Sequence, residues 1–354
     1  MAGPTFSVEQ TLRAQANTCV NMGSALYGTL LKGLLRDYRS SGVTKSLLDG
    51  VTDRPFHHAL ALRYVATGHL IALEGNAPDL ARHYPSCGGT WDGSKHVVDD
   101  FLATVAANEA EFRRGVRRNV QTNEVGRAAV LTSGFSLIAK RHQLPLDLLE
   151  IGSSAGLLSL WNHYYYDTGE STLGDDNSPV RFEPEWWSPP PPDLHEGVVV
   201  RSRRGSDISP IDVGLADDRT RMLSFLWPDQ DARIRRMKDA LDVASRFPVR
   251  IDPMDAGDWL SLRLDDGPAP GAVTVVFHSI VWQYLSINTK DHVRTVLADA
   301  GARATSEFPL CWLRMEPVDA AHADLRLTTW PGGTEEVLAT VGYHGNNIRW
   351  LHPD

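Results

Sequence analysis

A chain of 354 residues with 42% hydrophobic content can bury a large core, and its length points to one large domain with an appendage, or to two domains. A formal net charge of -9 argues against a broad electrostatic grip on nucleic acid. Three dispersed cysteines, Cys19, Cys87 and Cys311, suggest neither a disulfide framework nor a structural zinc site. The expected setting is a reducing, cytoplasmic one, since Met1 to Gln10 lacks a basic start with an apolar core. The longest apolar run, Ala272 to Trp282, falls short of the ~20 residues that span a bilayer, so no membrane role is expected.

From Val8 to about Arg141 the period is helical. Leu26, Leu30, Leu31, Leu34 and Leu35 recur at three- and four-residue spacing, as do Leu60, Leu62, Val65, Leu70 and Leu73. Breaks at Ser40-Ser41-Gly42, Asp53-Arg54-Pro55 and Pro85 to Gly93 predict five or six helices in an all-α N-terminal domain, residues 1–143. Its expected role is that of a helical lid that selects the substrate. The cluster Arg113-Arg114 with Arg117-Arg118 reads as a solvated helix face. Tyr84-Pro85-Ser86-Cys87-Gly88-Gly89 reads as a loop of lid character, in which Cys87 has no His and acid at recognisable spacing to make it a nucleophile. Gln121-Thr122-Asn123-Glu124-Val125-Gly126-Arg127 sets five hydrogen-bonding side chains around a glycine. Asn123 and Arg127 are candidate substrate ligands and Glu124 a candidate proton acceptor; the plain alternative is a capped helix with Glu124 near its positive end.

After Pro145 short apolar runs alternate with helical segments, the pattern of a βαβ protein. Strands are predicted at Asp147 to Ile151, Gly197 to Arg201, Val249 to Asp252, Val273 to His278 and Leu310 to Glu316. Helices are predicted at Ala155 to Tyr165, at Pro228 to Phe247 with Ile234, Met237, Leu241 and Ala244 on one side, and at Thr289 to Ala300. Right-handed crossovers make this a mostly parallel α/β sheet within a second domain, residues 144–354. Residues 169–192, with Trp186-Trp187 and prolines at 189–192, fit neither helix nor regular strand throughout and read as an insertion. Leu325 to Trp330, Glu336 to Tyr343 and Asn347 to Leu351, around the Pro331-Gly332-Gly333 turn, predict an antiparallel C-terminal edge.

The chemistry concentrates at predicted strand ends. Glu150-Ile151-Gly152-Ser153-Ser154-Ala155-Gly156 runs from strand through a glycine turn to a helix start, with backbone N–H groups expected to face a ligand. It has one G-x-x-x-G and an acid, not the G-x-G-x-x-G that cradles a pyrophosphate. It resembles the first motif of S-adenosylmethionine-dependent methyltransferases, in which the acid faces the cationic methionine end. That resemblance implies cofactor roles for Glu150, Gly152, Ser153, Ser154, Ala155 and Gly156. It implies the ribose acid at Asp207, followed by Ile208, and the adenine contact at Asp255 and Ala256, although each acid also reads as a helix cap. At the fourth strand's end, His278 is the candidate general base or else a histidine orienting a loop. Tyr284 joins it as a candidate catalytic group, and Trp282 and Gln283 as substrate contacts.

In order along the chain, Tyr84 to Gly89, Gln121 to Arg127, Glu150 to Gly156, Trp227-Pro228-Asp229-Gln230, His278 to Leu285 and Trp330-Pro331-Gly332-Gly333 resemble an uncharacterised bacterial family, domain of unknown function 2332. The resemblance implies a methyltransferase-like Rossmann sheet preceded by the all-α domain. Where that family reads Gly-Ala-Ser-Ala-Gly-Leu-Asn-Leu and then Asp-Arg-Tyr, this chain has Leu158 for the Asn, Asn162 for the Asp and His163 for the Arg. The leading expectation is an S-adenosylmethionine-dependent methyltransferase acting on an oxygen or nitrogen of a small molecule. The alternatives are a non-catalytic S-adenosylmethionine or nucleoside binder, and a Rossmann enzyme with another nucleotide cofactor.

Overall fold

The computed structural model describes residues 6–191, 194, 197–319 and 321–351. Its chain begins with helices α1 (Val8–Asn21), α2 (Ala25–Arg39), α3 (Val43–Leu48), α4 (Leu60–Leu73), α5 (Pro78–Ala81), α6 (His96–Ala107), α7 (Glu109–Gly115) and α8 (Ala128–His142). That is more than the five or six expected among the described residues, because α3, α5 and α7 are too short to display an apolar period. The longer helices follow the leucine spacing: all five leucines of the α2 stripe are buried. Ser7 starts α1 with a reciprocal capping box, accepting from Gln10 N–H while the Gln10 side chain accepts from Ser7 N–H.

The chain divides into two units. The first takes the chain up to Thr122 together with Gly214–Lys238, and it includes α1 to α7 and the later helix Ala216–Ser224. Its core gathers Leu12, Leu30, Tyr64, Phe101, Phe112 and Trp227. A single boundary at 143/144 is what the helical period predicts. However, α8 groups with the second unit, and Gly214–Lys238 returns to the first. No helix among the described residues is long and apolar enough to cross a membrane.

The second unit, Asn123–Val213 with the chain from Asp239 onward, carries the sheet. Its strands are β1 (Leu146–Ile151), β2 (Tyr165–Asp167), β3 (Thr172–Gly174), β4 (Arg181–Phe182), β5 (Val200–Asp207), β6 (Arg250–Pro253), β7 (Val273–Ser279), β8 (Leu310–Pro317), β9 (His322–Trp330), β10 (Thr334–Gly342) and β11 (Arg349–Trp350). Eight of them form one sheet in the order β11-β10-β9-β8-β7-β1-β5-β6. β6, β5, β1, β7 and β8 are parallel, whereas β9, β10 and β11 follow in antiparallel succession as the tail pattern predicted. The order reverses between β1 and β7, which is where an open α/β sheet leaves a crevice at its carboxyl edge. All six β1 residues are buried, as expected of a strand covered on both faces.

Side chains alternate across that sheet. Leu149, Ile151 and Val276 face a core shared with Trp259, Leu260, Val293 and Leu297. On the other face, Phe135 of α8 meets Phe277 edge-on at 5.1 Å and stacks on Trp161 at 5.0 Å.

Three sequence expectations are corrected here. The predicted helix Ala155 to Tyr165 is a 3₁₀ turn, Leu157–His163, that gives way to β2. The turn closes on i+3 bonds, with Tyr164 N–H donating to Trp161 O at 3.0 Å, and two buried tyrosine hydroxyls fold back onto its carbonyls, Tyr164 to Leu157 O at 2.7 Å and Tyr166 to Trp161 O at 3.0 Å. The second sheet strand is β5, shifted from 197–201 to Val200–Asp207, so Asp207 is its last residue. The stretch 169–192 is not wholly irregular, since its β3 and β4 join β2 in a separate small sheet. Residue 192 of the proline run lies outside the described residues.

Candidate functional site

The turn after β1 is held in a shape that its glycines make affordable. Gly152 has φ +67°, and a methyl there would overlap Val281, whose Cβ lies 3.0 Å from the added atom. Ser154 and Gly156 follow at φ +54° and +72°. Four of the N–H groups along this turn are directed to protein acceptors. Ser153 N–H donates to Ser206 O at 3.0 Å, Ser154 N–H to the Asp207 carboxylate at 2.9 Å, and Gly156 N–H to Ser153 O at 2.7 Å. Leu157 N–H donates to Asn123 Oδ1 at 2.8 Å. Such a turn offers little to a phosphate anion, and its seven-residue 3₁₀ continuation supplies no α-helical dipole.

Glu150 lies under this turn, 1% exposed. Ser159 Oγ donates to its Oε2 at 2.8 Å. Burial pushes the carboxyl up from 4.5 to about 8, against the opposing pull of the Ser159 hydrogen bond and with a smaller push from the Asp207 charge. Glu150 therefore stays protonated at neutral pH unless a cation comes near.

Three predicted cofactor acids sit at or beside neighbouring strand ends. Glu150 is in β1, Asp207 ends β5, and Asp255 follows β6. The β5 and β6 tips are joined by Met254 N–H donating to Asp207 O at 3.2 Å. Asp207 also accepts from Ser209 N–H at 2.8 Å, which pins the loop carrying exposed Ile208. Asp255 caps Ala256–Arg263 through Gly257 N–H at 2.9 Å and accepts from Thr289 Oγ1 at 3.0 Å, while Ala256 is buried. Both carboxylates are half-buried and have structural duties, Asp255 as a helix cap and Asp207 as the acceptor that ties the turn after β1 to the loop after β5.

The 121–127 segment contributes to this edge through its second-unit residues. Besides the Asn123 bond to Leu157, the Arg127 guanidinium donates to Ser279 O at the tip of β7 and to Tyr343 O, each at 3.1 Å. Gly126 approaches His344 so closely that a side chain there would overlap its carbonyl. Glu124 is buried and caps its own turn through Gly126 N–H at 3.3 Å.

His278 is not brought together with Glu150. In the parallel register Glu150 pairs with Phe277, so His278, one residue on, projects from the opposite face. It is 0% exposed, with Nδ1 2.7 Å from Glu316 Oε1, and its ring stacks on Trp282 at 5.3 Å. The same Glu316 oxygen accepts from Val281 N–H at 3.0 Å and Trp282 N–H at 3.2 Å. This is the geometry of a histidine that orients a loop. Gln283 and Tyr284 are exposed on that loop.

Sequence reading missed Glu316 and Ser159, although each had a signal: an acid ending an apolar strand, and a hydroxyl nine residues beyond a buried one. The basic clusters are engaged locally. Arg113 pairs with Glu109, Arg114 and Arg118 pair with Glu111, and Arg201 pairs with Asp147. Among the described residues no group of three His, Cys, Asp or Glu side chains is placed to hold a metal.

The model of a family described as uncharacterised and conserved in bacteria, DUF2332, matches residues 9–350. No curated protein and no solved structure matches the chain. The chain belongs to the DUF2332 family.

Proposed function

We propose that this member of the family binds S-adenosylmethionine at the carboxyl edge of its sheet, as a methyltransferase-like Rossmann protein, and passes the methyl group to an oxygen or nitrogen of a small molecule. The observation that carries the reading is the run of Glu150, Asp207 and Asp255 at successive strand ends beside the β1/β7 reversal, at a turn whose Ser153, Ser154, Gly156 and Leu157 N–H groups are engaged by protein acceptors. Acids without an anion cradle suit a cationic adenosyl ligand better than a dinucleotide. Glu150 acts through its charge from beneath the turn, losing its proton when the sulfonium arrives. When bound there, S-adenosylmethionine would supply an electrophilic methyl group, and the acceptor's proton would go to solvent. Placement supplies most of the rate in such a transfer. Asn123 and Arg127 hold the edge of the crevice in shape.

A second reading, binding without chemistry, is favoured by one observation: His278 is sealed on the opposite face from Glu150. Titration of the protein with S-adenosylmethionine, S-adenosylhomocysteine and NAD separates the ligand classes. Transfer of a labelled methyl group into a metabolite extract then separates enzyme from binder. Asp207→Ala should weaken S-adenosylmethionine binding at least tenfold. Unchanged affinity in that variant, or a preference for NAD, defeats the proposal.

A further inference from the structure

We propose that Ser86 is a nucleophile activated by His69, lining an open cleft in the helical unit that takes small carboxylic esters. The inference is independent of the sheet-edge reading. His69 lies in α4 and is 0% exposed, with Nδ1 3.0 Å from Ser224 O and Nε2 2.7 Å from Ser86 Oγ. A carbonyl only accepts, so the ring hydrogen is on Nδ1, Nε2 presents its lone pair, and the Ser86 hydroxyl donates to it. Nucleophile, base and orienting group thus stand in the relation that acyl transfer needs, with a main-chain carbonyl in the place usually held by an acid.

The loop Tyr84 to Gly89 fixes the serine. Ser86 N–H donates to Pro228 O at 3.0 Å, Gly89 N–H to Tyr84 O at 3.0 Å, and the His69 ring meets Tyr84 edge-on at 5.4 Å. Ser86 is only half-buried and lines a cleft of about 590 Å³ with Ala72, Leu73, Pro78, Arg82 and Cys87. That volume lies within the roughly 300–1,000 Å³ of small-molecule sites. Its aliphatic residues suit a short acyl chain. The N–H groups of Cys87, Gly88 and Gly89 donate to loop carbonyls, so charge developing on the substrate's carbonyl oxygen falls to Arg82, a cationic residue lining the cleft whose exposed guanidinium lies 3.2 Å from Asp79 and 3.7 Å from Asp100. Burial raises the Cys87 thiol and disfavours its thiolate, whereas the Ser86 hydroxyl has His69 Nε2 as its base.

In the reaction, Ser86 Oγ bonds to the ester carbon while its proton passes to His69 Nε2. The bond to the leaving alcohol breaks, and the alcohol takes that proton. Water then attacks the acyl-serine with His69 again as base, releasing the carboxylic acid and restoring the Ser86 hydroxyl. Burial holds His69 down at about 4, so the ring is a neutral acceptor at physiological pH. The imidazolium formed in passing is supported by the Ser224 carbonyl, and turnover is correspondingly slow.

The test uses the full-length protein, a fluorophosphonate probe and p-nitrophenyl acetate, with adducts located by intact mass and peptide mapping. One adduct is expected, on Ser86, forming at least ~100-fold more slowly in His69→Gln and absent from Ser86→Ala. Arg82→Gln should slow acylation about tenfold. Lack of an adduct on the wild type, an adduct that survives Ser86→Ala, or a folded His69→Gln reacting at the wild-type rate overturns the proposal. Should His69→Gln fail to fold, the wild-type pH profile decides. A labelling rate flat from pH 5.5 to 8 supports a base that titrates near 4, and a tenfold rise per pH unit, which signals activation by hydroxide, refutes it.

Discussion

Replacing Glu150 with glutamine should make the protein more stable at neutral pH and worse at holding a cation. In the unfolded chain the carboxyl ionises above 4.5, whereas in the fold burial delays ionisation to about 8. A folded value raised above the unfolded one means that the unfolded state gains by losing a proton the native state keeps. The contribution of this group is therefore fully present below pH 4.5, is lost as pH rises, and is gone above 8. At about 1.4 kcal/mol per pH unit, the wild type loses about 3 kcal/mol between pH 4.5 and 7 from this one group. Glutamine cannot ionise and keeps an oxygen for the Ser159 hydroxyl. Glu150→Gln should therefore match the wild type near pH 5 and exceed it by about 3 kcal/mol at pH 7, read from urea midpoints across that range. A difference that does not change with pH, or a variant less stable at pH 7 than at pH 5 relative to wild type, refutes the argument. The same carboxyl couples to the ligand. Binding of S-adenosylmethionine near pH 7 should release close to one proton, measured by calorimetry in buffers of different ionisation enthalpy, and Glu150→Gln should release none.

Other outcomes follow from the same geometry. Gly152→Ala places a methyl against Val281 at φ +67° and should cost about 2–4 kcal/mol in thermal melting; adding Val281→Ala should recover the steric part and leave the ~1–2 kcal/mol due to φ. Glu316→Ala removes the acceptor shared by His278, Val281 and Trp282, so amide exchange at Val281 and Trp282 should accelerate about tenfold or more, whereas Glu316→Gln should preserve most of the protection. Arg127→Lys loses the fork that reaches Ser279 O and Tyr343 O together and should lower the denaturation midpoint by an amount equivalent to about 1–3 kcal/mol; an unchanged midpoint would mean that those bonds are replaced by water.

Local pattern was enough to locate the α2 leucine stripe, the β1 run into Gly152 and Gly156, the succession of strands at 250, 273 and 310, and the hairpins around Pro331-Gly332-Gly333. Each of these is a property of neighbouring residues: period, turn chemistry, or an apolar run of strand length. Ile234, Met237, Leu241 and Ala244, chosen from spacing alone, are all buried. The segment 121–127 also stood out by density of polar side chains, and Asn123 and Arg127 indeed bond to the carboxyl edge of the sheet.

What the sequence could not decide is which partner each polar group takes. Where the spacing predicts an α-helix after Ala155, the chain makes a 3₁₀ turn onto whose carbonyls the buried Tyr164 and Tyr166 hydroxyls fold back. His278 reads from sequence as a base or as a histidine orienting a loop, and register puts it on the face opposite Glu150, bound to an acid 38 residues away. His69 meets Ser86 across 17 residues and the Ser224 carbonyl across 155, separations at which no motif can be read. Periodicity is written along the chain and survives in the sequence. Protonation, burial and hydrogen-bond choice depend on the dielectric and on the competitors that gather only when distant segments pack, and those the tertiary structure alone decided.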